Sequence, residues 1–371
     1  MHNEFTPILL KWFRENGRDL PWRHTRDPYA IWLSEIILQQ TRIQQGQAYW
    51  ERFMQTFPTV EALASATEDE VLKLWQGLGY YSRARNLHFA AQQIASLGHF
   101  PTTYEEIRKL KGVGDYTAAA IASIAFNLPH AAVDGNVYRV LSRHFGIDTP
   151  INSTEGKHLF AELAQQLLPR EEASAFNQAM MDFGAIQCTP QSPRCVICPL
   201  QETCDALRTG RTDTLPVKLK KLEVKTRHLT YVYMRCKGEV AIRRRPAGDI
   251  WQGLYEPWCV EDAHDFPSQW SLSALRLPRR REEETLSEKG KRENSGKVEN
   301  GIFQGLEGKM TLLRQNVKHV LTHRILLADF YLLETEKRPA LPDEYIWIPE
   351  TELGNYALPR LIEILLESLP R

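Results

Sequence analysis

The chain has 371 residues, with 46 Lys plus Arg balancing 46 Asp plus Glu, which suits two domains that each bury a core. A formal charge of zero excludes any case for nucleic acid from bulk electrostatics, so such a function must rest on local clusters. Met1–Leu10 has no basic segment followed by an apolar run and a cleavage site, so secretion is not expected, no membrane segment is found, and the cysteines are expected to stay reduced.

From Phe5 to Leu207 apolar residues recur three and four apart, with Gly or Pro at short connections, which predicts an all-α domain over residues 1–207. Glu35 falls on a predicted helix among Trp32, Leu33, Ile36, Ile37 and Leu38. A carboxyl there is poorly hydrated and its pKa is pushed upward; the plainer alternative is a Glu at the solvent edge of a buried helix. Leu110–Ser123 places Gly112 and Gly114 in a tight turn before a helix whose first amides are unpaired, a turn able to grip a phosphate, or an ordinary glycine-capped helical turn. Asp134 precedes a helical pattern and reads first as an N-cap.

Cys188, Cys195, Cys198 and Cys204 then give C-x6-C-x2-C-x5-C. One short loop bringing four thiolates together suits an iron-sulfur cluster better than zinc, whose ribbons place two C-x-x-C pairs far apart. Cys236 and Cys259 lie in strand-like segments and read as buried structural thiols.

Residues 208–227 are polar, basic and broken by Pro216, a predicted surface linker. Residues 228–371 form a second, α+β domain: His228–Cys236, Glu239–Arg243, Val317–Leu333 and Tyr345–Ile348 are strand-like and Leu358–Leu369 is an amphipathic closing helix. Arg279–Asn300 is almost wholly charged and polar, a predicted mobile loop.

The hairpin turn, then Asp134 in VDGNV, then the cysteine spacing resemble the endonuclease III superfamily of DNA glycosylases. LPWR at Leu20–Arg23, WLSEIILQQT at Trp32–Thr41, GLGYYSRARNL at Gly77–Leu87 and NQAMMDFGAIQC at Asn177–Cys188 are similar to the MutY-type adenine glycosylases, over essentially the whole chain. The resemblance implies a multi-domain protein: an all-α helix-hairpin-helix glycosylase domain with a 4Fe-4S cluster loop, and a Nudix-like domain reading 8-oxoguanine. It implies base-excision repair by removal of adenine opposite 8-oxoguanine or guanine in double-stranded DNA, by a monomer in a bacterial cytoplasm.

By the same resemblance, Glu35 is the general acid that protonates the leaving purine, and Asp134, held ionised by nearby amides, stabilises or captures the sugar cation. Asn136 and Asp182 have supporting roles in placing water or orienting the cation. Bifunctional relatives carry a lysine at position 116; Tyr116 cannot form a Schiff base, so a monofunctional enzyme leaving an abasic site is expected, with Tyr116 lining the pocket. Leu38, Gln40 and Tyr80 match inserting residues, and Trp22 and Arg23 fall near the adenine pocket. Lys111 replaces a proline common in relatives. Leu321-Thr322-His323 stands for the usual Phe-Ser-His reading loop, keeping a hydroxyl at Thr322 and losing an aromatic. No glycine-and-glutamate hydrolase box is found around Arg281–Glu284, so pyrophosphatase activity is not expected. An endonuclease III-like lyase on oxidised pyrimidines would need the lysine and no second domain; a non-catalytic DNA sensor would leave Glu35 and Asp134 without purpose.

Overall fold

Asp27 opens the helix that organises the first unit: its side chain accepts the Tyr29 amide and Pro28 occupies the first helical position. That helix, Pro28–Leu38, is buried from Tyr29 to Ile37, because its sequence is apolar all round and other helices must cover it. In the computed structural model, which describes residues 2–219, 224–261 and 308–370, the chain divides into units 1–221 and 222–371. The predicted charged loop and the segment around Arg281–Glu284 lie outside the described residues.

The first unit is helical: α1 His2–Asn16, α2 Pro28–Leu38, α3 Ile43–Thr56, α4 Val60–Ser65, α5 Glu68–Trp75, α6 Ser82–Leu97, α7 Tyr104–Arg108, α8 Asp115–Phe126, α9 Gly135–Phe145, α10 Thr154–Leu167, α11 Ala173–Asp182 and α12 Asp205–Arg208. Its sequence capping is conventional, with Thr59, Thr67, Thr103 and Ser153 each accepting a first-turn amide. One core joins α1, α9, α10 and α11 through Phe5, Leu9, Val137, Leu141, Phe160 and Phe176. The alanine-rich face of α8 lets α2 approach closely, with Ile31 packed on Ala119 and Ala120.

Residues 208–219, expected as a surface linker, pack on the first unit. Leu215 is buried, its carbonyl accepts Arg143 Nε at 3.1 Å, and the Val217 carbonyl accepts the Ile151 amide at 3.0 Å. Alternation of basic and apolar residues hid this, because Leu215 and Val217 are isolated from any periodic run.

The second unit is a seven-stranded mixed sheet, β1 Lys225–Cys236, β2 Glu239–Arg244, β3 Tyr255–Glu256, β4 Trp258–Glu261, β5 Gly308–Val320, β6 Arg324–Thr335 and β7 Tyr345–Pro349, closed by α13 Arg360–Leu366. Neighbouring strands run β3-β2-β1-β6-β5, with β4 added on β1 and β7 on β2. The central pair β1 and β6 is parallel, from Lys225 opposite Arg324 to Cys236 opposite Thr335. Leu361, Ile362 and Leu365 cover one face over Tyr231, Ile242 and Phe330; Val232, Met234, Trp258 and Leu333 form the core of the other. The expected strand-like stretch Val317–Leu333 is two antiparallel strands turning at Leu321–His323, where the Leu321 amide donates to the Arg324 carbonyl at 2.8 Å. Cys236 and Cys259 are buried thiols on β1 and β4, as expected.

Candidate active site and cluster loop

Three helices deliver the central groups. Glu35 comes from the buried face of α2, Tyr116 from the first turn of α8, and Asp134 caps α9. They line one cavity of about 430 Å³ together with Trp22, Arg23, Leu38, Gln40 and Asn136. That volume falls in the range of about 300–1,000 Å³ usual for ligand pockets.

Glu35 is 8 % exposed and accepts one side-chain hydrogen bond, from the Tyr116 hydroxyl to Oε2 at 2.9 Å. Burial pushes its carboxyl up to about 7; the Tyr116 hydrogen bond opposes the rise, Asp134 adds to it and Arg23 opposes it. Tyr116 is itself held well above the usual phenol range by burial and by the Glu35 and Asp134 carboxyls, so it remains a donor.

Asp134 is held as its sequence position suggests. Its Oδ1 accepts the amides of Asn136 and Val137, both at 2.8 Å, and Oδ2 accepts Asn136 Nδ2 at 2.7 Å. Ionisation is less secure than the expected fully charged carboxylate, because burial raises its pKa while those three donors and Arg139 hold the rise down. A carboxyl accepting three hydrogen bonds and one accepting a single bond share the cavity, and this asymmetry sends the shared proton to Glu35.

Asn136 is also tied to the cysteine loop. Its Oδ1 accepts Arg139 NH2 at 2.8 Å, and the same guanidinium donates to the carbonyls of Gly184 at 2.7 Å and Cys188 at 2.8 Å.

Asp182 does not join the cavity lining, in contrast to the expected role beside the cation or water. Its fully buried carboxylate accepts the Arg18 amide at 2.8 Å, Arg18 Nε at 2.9 Å and both Arg23 terminal nitrogens at 2.7 Å. Those donors occupy its lone pairs and hold it below its ordinary pKa, so it anchors two cationic side chains at the cavity wall instead. Arg18, Gln178 and Met181 line the cavity and were not singled out from sequence; Gln178 and Met181 lie three apart on α11, inside a motif already quoted.

Trp22 is buried at the wall, edge-on to Trp50 at 5.8 Å. Tyr80 is 47 % exposed on the Gly77–Tyr81 loop and outside the cavity lining. Gly112 has φ +78°, and a Cβ there would meet Asn86 Cβ at 2.7 Å; nothing lies within 4 Å of a Cβ at Gly114, the N-cap of α8. Thr322 and His323 are exposed in the β5–β6 turn of the second unit.

The cysteine loop begins where α11 runs on into a π-helical turn, Phe183–Gln187. Cys188, Cys195, Cys198 and Cys204 line one cavity with Arg143 and Leu200. Among the described residues no group of three or more His, Cys, Asp or Glu is already drawn together as on a single ion. Burial and their mutual repulsion raise the thiols of Cys195, Cys198 and Cys204, that of Cys198 to about 11, so four thiolates can coexist there only around a cationic core. Arg143 NH1 adds a donor 3.5 Å from the Cys188 sulfur. This donor set fits an iron-sulfur cluster.

Comparison with known proteins agrees with this geometry. Residues 33–167 match the HhH-GPD superfamily of base excision DNA repair proteins, 188–204 the iron-sulfur binding domain of endonuclease III, and 230–368 the NUDIX domain. The solved structure of a thermostable thymine-DNA glycosylase is similar, with a TM-score of 0.53 and 32% identity, covering 56% of this chain and 97% of that one. Fold and site therefore define a helix-hairpin-helix protein of base-excision DNA repair with a 4Fe-4S cluster bound in its 188–204 loop. The adenine DNA glycosylase of Buchnera aphidicola (subsp. Acyrthosiphon pisum, strain APS) is 34% identical over 254 residues, 68% of this chain and 73% of that protein. The mouse adenine DNA glycosylase is 45% identical over 226 residues, 57% of this chain but only 44% of the longer mouse protein. The chain belongs to the adenine DNA glycosylase family. Among the described residues, no helix is long and apolar enough to cross a membrane.

Proposed function

We propose that the chain hydrolyses the N-glycosidic bond of adenine paired with 8-oxoguanine or guanine in duplex DNA, leaving an abasic site, and works as a monomer in a bacterial cytoplasm. The observation that carries the chemistry is the pair of unequally hydrogen-bonded carboxyls in one cavity, Glu35 with one donor and Asp134 with three.

Glu35, protonated, gives its proton to an imidazole-ring nitrogen of the extruded adenine. The C1′–N9 bond then breaks with its electron pair going to the purine, which leaves neutral. The positive charge left on the sugar is met by the Asp134 carboxylate, as an ion pair or a short-lived ester; water then adds at C1′, displacing Asp134 from any ester and giving up its proton to the Glu35 carboxylate, which completes hydrolysis. Asn136 orients Asp134 and the water. Tyr116 keeps Glu35 in place by its hydrogen bond, and lacking an amine it forms no imine with the sugar, which disfavours the glycosylase/lyase alternative.

Gly112 and Gly114 present the first amides of α8 to a phosphate, and Leu38, Gln40 and Tyr80 fill the space vacated by the base. Trp22 and Arg23 border the extruded purine. Cys188, Cys195, Cys198 and Cys204 ligate the cluster, which supplies the cationic iron that stabilises four thiolates and fixes the loop. Thr322 and His323 bring hydroxyl and imidazole to the base opposite. Product analysis on duplexes carrying adenine, guanine or thymine glycol opposite normal and oxidised partners tests the reading. Release of free adenine, greatest opposite 8-oxoguanine and without strand scission, is the expected result; preferential release of thymine glycol with strand cleavage would refute it.

A further inference from the structure

Gln40 at φ 57° and Tyr80 at φ 46°, like Asn127 at φ 51° and Ser192 at φ 48° elsewhere in the first unit, hold backbone conformations that only glycine adopts freely. Each such residue costs on the order of 1–2 kcal/mol and persists where its surroundings enforce it. Gln40 follows the C-terminus of α2, and Tyr80 follows Gly79 in the loop before α6.

One side chain holds the backbone immediately before both. Arg83 NH1 donates to the carbonyls of Ile36 and Ile37 at 3.1 Å each and to that of Gln39. Arg83 NH2 donates to the carbonyls of Leu78 at 3.3 Å and Gly79 at 3.2 Å. The last carbonyls of a helix have no intrahelical partner, and α2 ends without a glycine cap, so Arg83 satisfies them instead. Its guanidinium lies near the Trp75 ring, at 5.1 Å, and the Tyr80 ring, at 5.5 Å. Nε is buried without a hydrogen-bond partner among the described residues, so both terminal nitrogens are committed to the two loops. Burial lowers the pKa only to about 10, so the group stays charged at neutral pH.

We propose that Arg83 is a positioning residue that couples the two loops, presetting Gln40 and Tyr80 as one rigid wedge for separating the target base from its partner. The proposal rests on the wedge reading of Gln40 and Tyr80 given above. A preset wedge meets the duplex without first ordering its loops, so its benefit appears at strand opening rather than at bond cleavage. Lysine cannot replace the arginine, since one ammonium cannot span carbonyls on both loops. The Ile36 carbonyl also follows Glu35 directly, so the same clamp ties the wedge to the helix that carries the proton donor.

The full chain with its cluster is compared as Arg83→Lys, Arg83→Ala and Gln40→Ala/Tyr80→Ala proteins on two duplexes. In one the adenine faces 8-oxoguanine; in the other it faces an abasic-site analogue and has no pair to break. 2-Aminopurine next to the target reports unstacking, and the pH profile of single-turnover cleavage reports the proton donor. For both Arg83 variants the expected result is a loss of unstacking signal and of cleavage on the order of tenfold to a hundredfold on the paired duplex. That loss shrinks on the unpaired duplex, and the pH midpoint is unchanged. Equal losses on both duplexes, or a shifted midpoint, would mean that Arg83 merely supports the fold and would overturn the proposal, as would full unstacking by Arg83→Ala. If the Gln40→Ala/Tyr80→Ala protein itself unstacks the duplex normally, it is the wedge reading that fails.

Discussion

Replacing Glu35 by glutamine separates a catalytic acid from a buried structural glutamate, because the two roles predict opposite effects on stability. The wild-type carboxyl has its pKa raised from 4.5 to about 7, chiefly by burial. At about 1.36 kcal/mol per pH unit, that rise amounts to about 3 kcal/mol. The folded protein holds this proton more tightly than the unfolded chain, so the full stability is present below pH 4.5 and is lost as pH rises through about 7. A carboxamide at this position, neutral throughout, escapes that loss: Glu35→Gln is expected to be about as stable as wild type at pH 4.5 and up to about 3 kcal/mol more stable at pH 8. Activity moves the other way. Loss of a positioned proton donor costs about 10²- to 10⁴-fold in the single-turnover rate, and the wild-type rate itself is expected to decline as pH rises past about 7. Urea unfolding at both pH values and adenine release from an adenine:8-oxoguanine duplex are the assays. A variant that keeps its rate within tenfold, or that is less stable than wild type at pH 8, would refute the assignment.

The Tyr116 hydrogen bond lowers the Glu35 pKa, so Tyr116→Phe should move the alkaline decline of the rate to higher pH, read from the same single-turnover profile. Borohydride should trap no covalent complex with wild-type protein, whereas Tyr116→Lys should give one on a denaturing gel. Gly112→Ala forces a Cβ within 2.7 Å of Asn86 Cβ at φ +78°, which should cost about 1–2 kcal/mol by thermal melting; Gly114→Ala, facing open space, should melt normally and lower DNA affinity alone. Asp182→Asn leaves Arg18 and Arg23 facing a neutral amide and should destabilise the fold by about 3 kcal/mol, measured by denaturant titration.

Much of the site is local and therefore legible. Asp134 was readable as an N-cap because capping depends on neighbours two and three residues on, and both expected amides donate to it. The cysteine spacing announced a cluster loop for the same reason, with all four cysteines inside 17 residues, Cys188 to Cys204. Periodicity likewise gave the helical first unit and most of the sheet. It missed β3, whose two residues are too short to show a period, touched β4 only through the strand-like surroundings of Cys259, and ran β5 and β6 together because the turn between them holds no glycine or proline.

Long-range electrostatics were not legible. Asp182 looks like any acidic residue of its motif until Arg18, 164 positions away in sequence, is folded against it. Arg83 is one basic residue in a short basic stretch, and only folding brings the carbonyls of α2, more than 40 residues earlier, to its guanidinium. Sequence by itself determined which residue types were available: a carboxyl on an apolar helix, a capped aspartate, a phenol in place of an amine, four thiols in one loop. Tertiary structure alone decided their chemical state, because a pKa, an ion pair or a strained φ depends on which groups share a small volume of low polarity, and that sharing is made by packing helices distant in the chain.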